Sequence, residues 1–185
     1  MKTNSLISLI FALVLISTGC SKDRELEKTV LIPDSTFPEL PAYTEWGYNT
    51  FGAFYDRDVF ISTHSETPLK VAVTGDTSTF IFSGSKGESY YEENNMSLIF
   101  TFYNFTPVNF EELIILNDTI FDLLDPGINV RITANEAFKS VTILEGYLHF
   151  KRAQNLWVDQ QQVETILSGV FDFKAIIDDE PVSVS

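Results

Sequence analysis

The sequence is poor in the residues that most often carry chemistry. It has one cysteine, Cys20, and two histidines, His64 and His149, in 185 residues. A lone cysteine forms no disulfide within the chain, so the fold must be stabilised by its core alone. A zinc site would need both histidines and added carboxylates to converge, and no Gly-x-Ser-x-Gly nucleophile elbow is present. We therefore expect no cofactor, no metal and no catalytic residue.

Basic residues are also scarce. Lys and Arg total 12 against 26 Asp and Glu, which gives a formal net charge of −14. A surface with this balance repels phosphate backbones, and no basic cluster offsets it. Nucleic acid is therefore not an expected partner.

Long apolar segments are limited to one, residues 6–16, which is apolar apart from Ser8. It follows Lys2 and precedes three small residues and Cys20, which is the order of parts in a signal peptide. The segment is well short of the roughly 20 residues that cross a bilayer as a helix. We expect residues 1–19 to be a signal peptide that is absent from the mature protein.

Residues 17–20 have the sequence STGC and resemble the lipobox of bacterial lipoproteins, with Ser17 where most such motifs carry Leu, Val or Ile. Residues 21–25, SKDRE, resemble the short charged export signal of Bacteroidota surface lipoproteins. The resemblance implies cleavage before Cys20 and lipid attachment to it. It also implies an outer-membrane location, facing the periplasm or the cell surface. The alternatives are a lone buried cysteine in a soluble protein and a merely solvated charged linker.

Two stretches of the later sequence resemble small uncharacterised lipoproteins common in Bacteroidota. Residues 47–53, GYNTFGA, are similar to the opening signature of that group, and residues 167–175, LSGVFDFKA, to its closing signature. The resemblance implies that the first stretch enters a β-sheet and that the second is a core strand. It implies no established activity.

Two short motifs resemble the site at which Bacteroidota glycosylate exported proteins, an Asp followed by Ser or Thr and then an aliphatic residue or Thr. They are residues 34–36, DST, and residues 118–120, DTI. The resemblance implies O-glycosylation at Ser35 and Thr119, with Ser35 the first choice because its segment is expected to be accessible.

The residues after the signal peptide divide into two parts. Residues 20–44 contain three of the seven prolines and no sustained periodicity, which predicts an extended, lipidated tether. Residues 45–185 carry short runs of Val, Ile, Phe, Tyr and Thr between turn residues, which predicts one β-rich domain. The expected fold is all-β and mainly antiparallel, a β-sandwich or related β-barrel. Strands are predicted at 50–55, 59–62, 69–74, 79–83, 96–103, 128–132, 140–152, 162–176 and 182–185.

Three local features refine this prediction. Asn109 as N-cap, followed by Glu111 and Glu112, predicts one helical turn at 109–113, with strand after it. Gly146 and Gly169 occupy matching places in two long strands, where glycine marks a bulge or a close backbone approach. Alternation after Gly146 predicts that positions 148, 150 and 152 face the opposite side from 147, 149 and 151.

The candidate binding residues are aromatic. Tyr90 and Tyr91 lie in a polar loop and are the predicted ligand-binding pair, while Trp46 and Trp157 flank predicted strands. Clustered loop acids leave a calcium site or a glycosidase pair as weaker alternatives, since acids in turns commonly serve solubility. The best local acid cluster for calcium contains Asn117, Asp118, Asp122 and Asp125.

We therefore expect a membrane-anchored binding module that is not an enzyme and that recognises a glycan or a protein at the cell surface. A structural or assembly subunit of a surface appendage is the first alternative, and a small hydrolase the second. An exposed aromatic cleft would favour glycan binding, and a long unpaired edge strand would favour assembly by strand addition.

Overall fold

The computed structural model describes residues 29–62, 67–87, 95–158 and 161–185. Predictions for Cys20, His64, Tyr90 and Tyr91 fall outside these residues. The described chain forms eleven strands and one 3₁₀ helix, Phe110–Leu116. The strands are β1 Gly52–Tyr55, β2 Asp58–Ile61, β3 Leu69–Thr74, β4 Thr77–Lys86, β5 Asn95–Tyr103, β6 Thr119–Asp122, β7 Ile128–Ala134, β8 Ala137–Phe138, β9 Val141–Val158, β10 Gln161–Ile177 and β11 Glu180–Val184.

All strand pairs are antiparallel and belong to one sheet. The pairing path runs β6-β9-β10-β11-β1-β2-β4-β5-β7-β8, and β3 pairs with β4 beside that path. In the described part of the chain the two end strands, β6 and β8, do not pair with each other, so the sheet stays open. The all-β, antiparallel prediction is confirmed, whereas a closed barrel is not formed.

The sheet folds over so that β4 and β5 face β9 and β10. Phenylalanine rings meet between these two layers: Phe80 lies 5.3 Å from Phe150, and Phe100 lies 5.8 Å from Phe171 and 6.4 Å from Phe173. Inward-facing positions of both layers fill the space between them, which is the packing of a β-sandwich. The largest fully buried side chains are Phe60, Phe80, Phe100, Phe173, Leu98, Ile132, Leu148 and Val184.

The two glycines of the long hairpin β9–β10 have the roles that the sequence predicts. Gly169 falls at a register irregularity between Ser168 and Val170, which is a β-bulge. Gly146 has a φ of 149°, and a Cβ there would lie 2.5 Å from the Cα of Phe173. A side chain at position 146 would therefore displace the backbone of a core strand, so glycine is required there.

The bulge also corrects the predicted alternation in β9. Leu148 and Phe150 are buried as expected, but Arg152 is exposed and Ala153 is buried in its place. The register shift opposite Gly169 moves the inward positions of β9 by one residue. The charged side chain of Arg152 thus reaches solvent.

The helical segment begins where the sequence predicts and continues further. The Asn109 side chain accepts a hydrogen bond from the Glu112 backbone N–H, as an N-cap does. The strand expected directly after residue 113 is wrong, because the 3₁₀ helix runs to Leu116 and β6 starts only at Thr119. Leu113 and Leu116, three residues apart, bury the same face of the helix.

Residues 29–44 of the predicted tether lie against the domain. They form a small hairpin-like turn in which the Ala42 N–H donates to the Ile32 carbonyl at 2.7 Å. At the tip of this turn the Phe37 ring meets the Phe54 ring of β1, with centroids 5.5 Å apart. The folded unit therefore extends to the start of the described chain.

Candidate functional site

The predicted modification residues differ in accessibility. Ser35 is exposed in a turn where the Asp34 carboxylate accepts hydrogen bonds from the N–H groups of Thr36 and Phe37. These two bonds lower the pKa of Asp34. Thr119 is half-buried at the start of β6, and its hydroxyl lies 3.3 Å from the Ile115 carbonyl. Ser35 is therefore the more accessible of the two residues, and its modification before Thr119 stays a prediction.

The loop acids considered for calcium are used in local hydrogen bonds. The Asp122 and Asp125 carboxylates accept from the N–H groups of Leu124 and Gly127, and Asp118 lies 3.1 Å from the Nε2 of His149. Among the described residues, no group of three or more His, Cys, Asp or Glu side chains is placed to hold a metal ion. The cluster thus shapes turns between the 3₁₀ helix and β7.

An open groove of about 600 Å³ lies between the 3₁₀ helix and residues 152–157 of β9. It exists because β9 is much longer than β6, its outer neighbour. β6 pairs only with Tyr147 to Phe150, and β9 continues from there to Val158. The groove is lined by Ile114, Asn117, Arg152, Ala153, Gln154, Asn155 and Trp157.

A hydrogen bond to Asn117 shows which backbone groups of β9 point toward this groove. Its side-chain oxygen accepts the Ala153 backbone N–H at 3.0 Å, so the N–H of Ala153 points away from β10. Antiparallel strands alternate between residues that bond to one neighbour and residues that bond to the other. Since the register with β10 is regular from Ala153 to Leu156, the N–H and carbonyl of Asn155 also point outward.

These outward groups form an open edge. By this alternation the Asn155 N–H and the carbonyls of Ala153 and Asn155 point away from β10, and no other element of the described chain bonds to them. They lie along the groove, which Ala153 and Asn155 line. The outer edge of β9 is therefore unpaired beyond Asn117, and another strand can add to it there.

The side chains around the groove include exposed apolar ones and a rim of hydrogen-bonded polar ones. Trp157 is 61% exposed and Ile114 48% exposed. The Gln154 amide donates to the Glu45 carbonyl at 2.8 Å and accepts from the Arg152 Nε at 3.1 Å. The exposed Trp157 indole thus lies beside a rim of hydrogen-bonded polar side chains.

The polar rim continues to an aromatic and charged cluster at residues 43–46. Arg152 lies 3.8 Å from the Glu45 carboxylate, and the Lys151 ammonium lies 4.8 Å from the Tyr43 ring centroid. Burial, and then the nearby Glu45 charge, raise the pKa of the Tyr43 phenol. Trp46, at the end of this segment, is 76% exposed.

The chemistry of the groove suits binding. Its lining side chains, as far as the chain is described, include no carboxylate, histidine, hydroxyl or thiol. An indole, amides, a guanidinium group and an open strand edge instead provide apolar contact and hydrogen bonds.

Comparison with protein-family models, with curated proteins and with solved structures finds no match. The described residues also contain no helix with the length and hydropathy needed to span a membrane.

Proposed function

We propose that this chain is an outer-membrane lipoprotein, held by lipid on Cys20, whose β domain is a non-catalytic binding module for a glycan or protein at the cell surface. The observation that carries the binding role is the open groove beside β9, with the exposed Trp157 over an unpaired strand edge. Aromatic rings in such positions contribute large contact area at low entropic cost.

A structural or assembly subunit is the second candidate. The unpaired edge of β9 favours it, since such edges accept strands from other chains. Both candidates place the interaction at the same groove.

Replacing Trp157 by Ala should weaken ligand capture at least about tenfold, because a central Trp commonly contributes about 2 kcal/mol or more to binding. The melting temperature should stay nearly unchanged, since the ring is mostly exposed. The measurement is a binding screen of the mature chain, with Cys20 replaced by Ser, against soluble polysaccharides and a phage-displayed library of random peptides.

Phe138→Ala is the matched control, because Phe138 is 65% exposed on β8 and lies outside the groove. Its binding should equal that of the parent chain. Capture that survives Trp157→Ala, or no capture of either ligand class, would contradict the proposed site.

The intact mass of the native protein tests the modification expected at Ser35. We expect mass beyond polypeptide and lipid, and we expect it to disappear in Ser35→Ala because the exposed turn presents this hydroxyl. Thr119→Ala is the comparison, since the Thr119 hydroxyl is half-buried and hydrogen-bonded. A native mass equal to lipid plus polypeptide would refute the expectation.

A further inference from the structure

We infer that the groove binds an extended, basic segment of another protein, which adds as a strand to the open edge of β9; this inference rests on the binding role proposed above. The groups left open at the edge are backbone groups: the N–H of Asn155 and the carbonyls of Ala153 and Asn155. They recur every second residue along one line, which is the spacing at which a neighbouring strand presents its own donors and acceptors.

Asn117 defines where the added strand ends. Its side chain already satisfies the Ala153 N–H, so an incoming strand can pair only from the Ala153 carbonyl toward the β9–β10 tip. β6 lies on the same edge of β9, on the other side of Asn117. The incoming strand therefore lies in line with β6, with Asn117 between the two.

The groove also specifies side chains of the incoming strand. Ala153 leaves space between Ile114 and Trp157, two side chains that are about half exposed or more. Because side chains of a strand alternate between its two faces, every second residue of the segment would enter this space. Burial of apolar surface against Ile114 and Trp157 favours aliphatic residues at those positions.

The charge of the incoming segment is set by the whole chain, because Arg152 is the one charged side chain among the described lining residues and it lies 3.8 Å from the Glu45 carboxylate. The chain has a formal net charge of −14, which attracts a basic segment and repels an acidic one. The same charge disfavours a second copy of this chain as occupant. A twofold pairing centred on Asn155 would also need the Ala153 N–H, which Asn117 already occupies.

The test uses a substitution that removes one outward donor and leaves the sheet intact. Asn155→Pro deletes the Asn155 N–H, which points away from β10, so the β9–β10 ladder keeps its hydrogen bonds. Asn155→Ala is the matched control, because it shortens the side chain and keeps the N–H. The probes are the clones selected on the parent chain from a phage-displayed library of random twelve-residue peptides, resynthesised with a fluorophore.

We expect the selected peptides to carry net positive charge and alternating aliphatic residues. Asn155→Pro should weaken their binding about tenfold or more, because the peptide carbonyl loses its partner, and Asn155→Ala by less than about threefold. Amide hydrogen exchange of the parent chain gives a second readout that does not depend on the variant folding: the Asn155 N–H should become protected when peptide is added.

The remaining outcomes separate this inference from the function on which it rests. Peptide binding that is equal in both Asn155 variants, or an Asn155 N–H that stays unprotected, would overturn strand addition. Trp157-dependent binding of polysaccharide alone would overturn it as well, while the binding module would stand. A dimer that Asn155→Pro dissociates, seen by sedimentation velocity, would make the occupant a second copy and also overturn it. Binding of neither probe would remove the proposed function itself.

Discussion

Phe100→Ala should lower the free energy of unfolding by about 3–5 kcal/mol, the usual cost of deleting a buried phenylalanine ring. Phe100 is fully buried on β5, and its ring meets Phe82 of its own layer and Phe171 and Phe173 of the opposite layer. The deletion would leave a cavity where the two layers meet. With a change of about 2–4 °C per kcal/mol for a chain of this size, the melting temperature should fall by roughly 6–20 °C.

The control is again Phe138→Ala, an equally large deletion at an exposed ring. Phe138 lies 5.4 Å from the guanidinium carbon of Arg131, a contact worth about 1 kcal/mol or less at an exposed site. The two variants should therefore differ by several degrees in a thermal melt followed by circular dichroism. Equal melting temperatures would mean that Phe100 does not join the two layers.

Strand positions were predictable where apolar periodicity and turn residues agree. β3 has the predicted bounds, Leu69–Thr74, because Pro68 precedes it and Gly75 follows it. β8 was missed because it has only two residues, too few to show a period. A turn at Asn135 and Glu136 folds β8 back onto β7. Both turn residues have positive φ angles, which are typical of a two-residue hairpin.

The long hairpin was predicted less completely. β9 continues to Val158, beyond the predicted end at residue 152. Residues 153–157 read AQNLW, without a strict alternation of polar and apolar residues. Pairing with β10 maintains the strand there, and cross-strand pairing is a property of two segments together. Local sequence therefore could not place its end.

The groove could not be predicted for the same reason. One wall comes from the end of the 3₁₀ helix, in a segment predicted as strand, and the other from the missed part of β9. The contact that fixes the edge joins Asn117 to Ala153, which are 36 residues apart. The available signal was Trp157, an aromatic residue within a polar stretch, although the aromatic pair selected from the sequence was Tyr90 and Tyr91.

Cys20→Ala should abolish lipid attachment, because Cys20 is the only cysteine and so the only thiol that can accept an acyl chain. The precursor should stay uncut or be released slowly, and metabolic labelling with a clickable fatty acid should disappear. Loss of the lipid should also remove the membrane affinity, because that affinity comes from buried acyl CH₂ groups, each worth about 0.8 kcal/mol. Without them, the strongly acidic chain has no electrostatic attraction to anionic headgroups.

Ser21→Ala is the control for the labelling experiment, because it changes the neighbouring residue and keeps the thiol. It should be labelled like the parent chain and should fractionate with membranes. Labelling that persists in Cys20→Ala would show that lipid is attached elsewhere. In that case residues 6–16 would not direct lipid attachment at Cys20, and the proposed lipid anchor would be wrong, independently of the function proposed for the groove beside β9.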